Sequence, residues 1–395
     1  MIKKRRLKKV LLLCICLVWS CVQTGPYQVL AAGSSSVSYD ISADAVNLTN
    51  TNETVSITGT SIEQNTIVIS GGQPTLQLNN VTIQAPNKDA TPGANNSETS
   101  KPAVHIKDGA QVTIEVSGTN ELAGGAYRAG IQVEEGASVT IAGSGSLNVS
   151  TAGIQGSSAA GIGGGSVYNS ENGGNYGEPA GRIVIGGSVK PTATCGWGSA
   201  AIGAANYVGS GQVESASLGF ESITLKDQAE VTTVEPGYSA AIGSGYQNST
   251  DIYQYYKNGV GEFTIQDEAK LTLNGTGTNG NATCFATESI VAQINYQGGT
   301  ITSGTYSSTK VSPVKKTLQF IGDQGAFLRD THITYKVSQR YEDSNIKTLY
   351  NTVTGEGTVG GDGKLQDITV FNGSNYIEAV TDSGTVYRAV FGQGD

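Results

Sequence analysis

Only two histidines, His105 and His332, stand in the 395-residue chain, and only Cys195 and Cys284 of its five cysteines lie beyond the leader described below. Ser-His-Asp or Cys-His catalysis needs a histidine beside its nucleophile, and neither histidine has a Gly-x-Ser-x-Gly turn or a cysteine near it in sequence. Zinc needs three or four Cys or His ligands at close spacing, which these isolated residues do not supply. No EF-hand loop occurs. Asp108, Asp227 and Asp267 read as one turn position or its neighbour, with Asp227 and Asp267 a full long repeat apart, so stacked carboxylates for calcium are the alternative to an expectation of no cofactor. Aspartate is also the ordinary residue of such turns. Cleavage of a sugar bond needs two or three carboxylates facing it, or a basic residue beside a carboxylate cluster. Glu171, Glu178, Glu214, Asp251 and Glu262 lie in or beside loops, while Arg128, Arg182, Lys190, Lys226, Lys257 and Lys270 share no common position.

Aromatic residues carry the better signal. Tyr168 and Tyr176 fall in a first long loop with Asn169, Asn172 and Asn175. Tyr207 falls in a second with Asn206, and Tyr246, Tyr253, Tyr255 and Tyr256 in a third with Asn248 and Gln254. Trp197 and Tyr238 stand just before the loops begin. Flat aromatic faces suit the C–H faces of sugar rings, and neighbouring amides suit their hydroxyls. These nine aromatic residues are the candidate ligand-binding set. The competing reading is that they pack loop on loop over the scaffold.

The loops can be located because the chain repeats. Ser-Ala-Ala-Ile-Gly at 199–203 recurs at 239–243, and Ile162, Ile202 and Ile242 are 40 apart. A second column, Ile183, Ile223 and Phe263, has the same spacing. Val112 and Val139 are 27 apart, and Phe263 to Ile290 is again 27, so this shorter spacing is the basic unit and the longer units carry thirteen more. The step from Ile106 to Val112 is 6 and from Ile131 to Val139 is 8, against 21 from Ile162 to Ile183, so the extra length leaves one corner of three successive units. Short alternating β-type runs separated by Gly, Asn, Asp and Ser at this period predict a parallel β-solenoid rather than a sandwich. Cys195 and Cys284 fall at no matching offset. Coils two apart are separated by about 9.6 Å, beyond the ~7 Å reach of a disulfide, so both thiols are expected to be free.

Lys3, Lys4, Arg5, Arg6, Lys8 and Lys9 precede the apolar run Val10 to Trp19, and small residues follow at Ala31-Ala32, the pattern of a secretory signal peptide over 1–31. A cut before Cys21 would give a lipoprotein, but Trp19 fits that site poorly. The six basic residues leave a charge of −15 for the remainder, from −9 for the whole. Nucleic acid and anionic membrane surfaces need basic patches, so neither is an expected partner, nor is membrane insertion.

Ala129-Gly130-Ile131-Gln132-Val133-Glu134-Glu135-Gly136-Ala137-Ser138-Val139-Thr140-Ile141, with Ala160-Gly161-Ile162-Gly163-Gly164-Gly165 after it, resembles the Gly-rich "AGIGGG" β-helix proteins of Gram-positive bacterial surfaces. It is more loosely similar to secreted β-helical carbohydrate-binding proteins. The resemblance covers roughly residues 38 to 305 and implies an extracellular, right-handed parallel β-helix with sugar-binding or adhesive activity. The Tyr- and Asn-rich loops depart from that pattern, and no Leu-Pro-x-Thr-Gly sorting tail follows.

The expected all-β chain is thus a leader (1–31), a cap with the first coils (32–101), a parallel β-helix with three stacked loops (102–314) and a small β-sandwich-like domain (315–395). Its expected role is a secreted or cell-surface glycan-binding or adhesive protein. The alternatives are a β-helical polysaccharide lyase or glycoside hydrolase, and a structural spacer without a ligand.

Overall fold

The computed structural model describes residues 37–86, 100–152, 159–169, 174–205, 219–236, 239–243, 261–274, 293–303, 314–321, 328–341, 349–370 and 375–391, all within one compact unit, Ser36–Asp395. Among them every regular element is a strand. Each coil contributes three strands, one to each of three parallel sheets, in the repeating order third, first, second. One complete coil is Val104–Ile106, Gln111–Ser117 and Thr119–Gly124, and the next begins at Ile131–Val133.

The apolar columns are the core. In the first sheet Val112, Val139, Ile183, Ile223 and Phe263 pair directly in register and are all at most 2% exposed. In the third sheet Val104, Ile131, Ile162, Ile202 and Ile242 do the same. Inward residues stack coil on coil because pairing across a parallel ladder places like positions about 4.8 Å apart, so each β-branched side chain packs on its counterparts above and below. The paired alanines divide. Ala201 and Ala241 join the main core, whereas Ala200 stacks on Ala240 as a separate buried pair.

Two alignments of the columns need correction. Ile131 pairs with Val104 and not Ile106, so the step to the first-sheet column is the same in both short coils. Phe263 pairs with Ile294 and not Ile290, which makes that coil one strand-turn longer than the basic unit. Both positions of each pair, Val104 and Ile106 or Ile290 and Ile294, are apolar, and only the ladder hydrogen bonds select between them.

The corner between first and second sheets explains the Gly, Asn and Asp pattern. Asn80, Gly118, Gly187, Asp227 and Asp267 all have φ between 56° and 66°, the left-handed region that these residue types tolerate. Side chains there also tie adjacent coils. Asn80 Oδ1 accepts the Thr119 N–H at 3.0 Å, Asp227 Oδ2 the Gly187 N–H at 2.8 Å, and Asp267 Oδ2 the Asp227 N–H at 3.0 Å. Asp108 does not share this turn. It lies in the corner between third and first sheets, where its own N–H bonds Glu134.

Beyond the last coil the first sheet continues. Strand Gln293–Gln297 pairs in parallel with Leu349–Val359, which runs antiparallel to Thr331–Tyr341. That strand pairs Asn375–Thr381, and Val386–Phe391 ends the thirteen-stranded sheet. Val314–Gln319 and Lys364–Val370 form a second, two-stranded layer with a buried Phe320, Ile333, Val337, Ile368, Val370 and Ala379 core.

Candidate functional site

The extra length of the long coils leaves the corner between third and first sheets. The first of the three loops opens as an antiparallel hairpin, Ser166–Asn169 with Gly174–Gly177. It is anchored at its base, where the Ser166 N–H donates to Tyr127 C=O at 2.8 Å and the Glu178 N–H to Gly165 C=O at 2.7 Å. Tyr168 pairs with Asn175 and Tyr176 with Val167, one register step apart. Tyr207, Tyr238, Tyr246, Tyr253, Tyr255 and Tyr256 lie outside the described residues, as do Glu171, Glu214, Asp251 and Cys284.

At the hairpin base the chain turns back onto the outer face of the third sheet. Glu178 Oε2 accepts the Gln132 amide at 2.8 Å and Oε1 lies 3.5 Å from Arg128. Gly165 has no side chain because a Cβ there would sit 2.6 Å from Gln132 Oε1 and 2.8 Å from Glu178 Oε2. One coil away in the same outward column stands His105, whose Nε2 is 2.6 Å from Glu134 Oε1. Glu134 is held below the ordinary carboxylate range, first by that histidine bond and then, against the cost of burial, by the Asp108 amide. Arg128, Gln132, Glu134, Glu178 and His105 thus form one polar patch beside the hairpin. Sequence reading found no nucleophile near His105 and counted Glu178 among the loop carboxylates, without joining the two. The ladder puts His105 beside Gln132, whereas aligning Ile131 on Ile106 would have put Lys107 there, so the sequence did not bring these residues together. Glu262 belongs to a first-sheet strand.

Past Gln132 the described residues of this outward column carry no side chains. Gly163, Gly203 and Gly243 follow Gln132 in register with φ of 137°, 137° and 144°, and a Cβ on Gly163 or Gly203 would run into the carbonyl of the next coil. Ala200–Gly203 and Ala240–Gly243 are buried on both faces, so the outer side of the sheet is covered here.

Trp197 marks the opposite end of those strands, in the corner between second and third sheets. It is 40% exposed although Gly196, Gly198 and Ser199 around it are buried. The next coil fixes the corner. Ser239 Oγ accepts the Gly198 N–H at 2.9 Å, and its hydroxyl lies 2.5 Å from Pro236 C=O and 3.1 Å from Gly196 C=O. Beneath the corner Cys195 is a free, fully buried thiol, with its pKa pushed up by burial and then by nearby Glu235. Such a thiol is a small apolar packing group rather than a nucleophile. Glu235 is itself 2% exposed, and burial raises its pKa to about 7.

Asp227 and Asp267 each accept a backbone amide of the preceding coil, and among the described residues no three His, Cys, Asp or Glu side chains gather in metal-ligating geometry. No family model, curated protein or solved structure matches the chain.

Proposed function

We propose that this is a secreted, glycan-binding β-helix protein, and that it holds an extended carbohydrate along the flank built by Trp197 and the three long loops. The observation that carries the reading is Trp197, an exposed indole on a corner whose backbone is fixed by the next coil, at one end of strands whose other end feeds the loops. Binding residues sit on loops and corners of rigid scaffolds because the scaffold has already met the ordering cost. Three coils at about 4.8 Å spacing give a ridge roughly 14 Å long, the length of a few sugar units. The Gly-rich motif around Ile131 and Ile162, with its resemblance to bacterial surface β-helices, and the basic-apolar leader support an extracellular setting. A net charge of −9 favours neutral glycans over acidic ones.

A glycan array probed with the full chain tests this. Binding to neutral oligosaccharides of several units is expected, and Trp197→Ala should weaken it about tenfold, the worth of one aromatic stacking contact. Its unfolding should stay cooperative, because the side chain is 40% exposed and stands on a corner rather than in the core. No glycan bound by the parent, or equal binding by the variant, would leave the spacer reading. Polysaccharide cleavage is a second reading, favoured by the one patch that brings His105, Glu134, Glu178 and Arg128 together; release of reducing ends or unsaturated products from polysaccharides would decide for it.

A further inference from the structure

Of the six exposed large apolar side chains among the described residues, three lie on the outer face at the open end of the thirteen-stranded sheet, Tyr376 (40%), Val386 (42%) and Val390 (73%), and Ile321 (55%) lies by the cleft on its inner face. The last strand, Val386–Phe391, has no partner beyond it among the described residues. It is six residues long, with no Pro, no Gly and one charge, and so lacks the devices by which native edge strands avoid pairing. Its outer face alternates cross-strand pairs: Val386 with Val380, Arg388 with Glu378 in a 2.7 Å ion pair, and Val390 with Tyr376. Its inner face borders an apolar cleft of about 220 Å³ lined by Leu318, Phe320, Ile321, Ile377, Tyr387 and Ala389.

The open side of this strand can be read from its hairpin. The Thr381 N–H bonds Thr385 C=O at 3.0 Å, so hydrogen-bonded pairs recur at every second residue, through Tyr387 and Ala389. The N–H and C=O groups of Val386, Arg388 and Val390 therefore point away from the sheet.

We propose that this edge is a homodimer interface, in which Val386–Phe391 pairs antiparallel with the same strand of a second copy. A two-fold axis normal to the sheet keeps the two exposed faces on one side, and it must then pass through a residue position. At Arg388 it would set the two arginines directly opposite each other, a repulsive pair that the exposed ion pairs to Glu378 offset only in part. At Tyr387 the pairing would run off the strand into the turn at Ser383-Gly384. At Ala389 the strands overlap from Tyr387 to Phe391, Ala389 meets its own copy, and Arg388 faces Val390 of the second copy. The interface is isologous, as a closed dimer requires, and joins two sheets into one. The single charge selects the register.

Sedimentation of the full chain over a range of concentrations tests the proposal with two variants. In the predicted register Val390→Lys faces Arg388 of the second copy and Val390→Glu offers it a counter-charge. The parent should be a dimer at micromolar concentration. Val390→Lys should weaken dimerisation roughly tenfold and Val390→Glu should strengthen it, because two symmetry-related pairs change together. Both should melt like the monomeric fold of the parent, since Val390 is exposed. A parent that stays monomeric at every concentration overturns the interface, including where another protein's strand occupies the edge. Equal behaviour of the Lys and Glu variants overturns the register.

Discussion

Glu235 is a carboxyl buried at the corner beneath Trp197, and its pKa of about 7 lies well above the 4.5 of an ordinary glutamate. The folded chain therefore holds this proton more tightly than the unfolded chain. Its contribution to stability is full below pH 4.5 and declines as pH rises through 7. The shift corresponds to about 3 kcal/mol over that window. Glu235→Gln keeps the shape without the proton, so its stability should be flat across the same window and should exceed the parent's at pH 8. Denaturant midpoints at pH 5 and pH 8 check this, and a parallel pH dependence in the variant would remove Glu235 as the source. Nothing in the sequence singled out this residue. Glu235 sits one position after the strand Glu230–Val234, and whether a residue just past a strand end turns inward depends on the corner, not on the period-two pattern. Trp197, by contrast, was picked out from the sequence as an aromatic residue just before a loop, and the structure places it 40% exposed on the corner between second and third sheets.

A column of the coil is a harder test of the fold than any one corner. Ile223 is fully buried between Ile183 and Phe263, with neighbours above and below that cannot move apart without breaking two ladders. Ile223→Asp loses the roughly 1.5–3 kcal/mol of a buried aliphatic side chain and buries a carboxylate at a cost of several kcal/mol more, against a total of about 5–15 kcal/mol. Cooperative unfolding should vanish at neutral pH. A variant melting like the parent would mean the column is not core. The elements of the coil were readable because identical motifs recur at a fixed spacing. Strand Leu349–Val359 was not read, because Asn351, Gly355 and Gly357 break its alternation. Tyr335 and Leu365 supply what those glycines lack: a Cβ on Gly355 would meet the Tyr335 hydroxyl at 2.5 Å and its ring at 2.6 Å, and one on Gly357 would meet Leu365 at 2.7 Å. An aromatic ring laid across a strand glycine restores packing that the glycine's own position omits. That compensation comes from the paired strand at Gly355 and from the second layer at Gly357, and it leaves no local trace.

At the scale of the molecule, the first sheet of the solenoid does not end at its last coil. A repeat array needs a cap because its last coil presents unpaired backbone groups and apolar side chains. Here Gln293–Gln297 is covered by a strand of the C-terminal region, with Gln293 to Tyr296 paired to Tyr350 to Val353. The sequence marked where the repeats stop, near Lys315, but not that the following strands continue the same sheet, since the joining strand is distant along the chain and is the one that was missed. The C-terminal antiparallel sheet is therefore a cap as well as a candidate interface, and the two roles can be separated. Truncation after residue 313 removes both, whereas Val390→Lys in the full chain weakens only the interface. The truncated chain should melt roughly 5 °C or more below the Val390→Lys chain and form polydisperse aggregates on heating, because the first sheet then offers a free edge to other copies. Differential scanning calorimetry with sedimentation after cooling reads both effects. Equal melting temperatures and clean recovery in the truncated chain would mean that the last coil is stable without the strand now covering it.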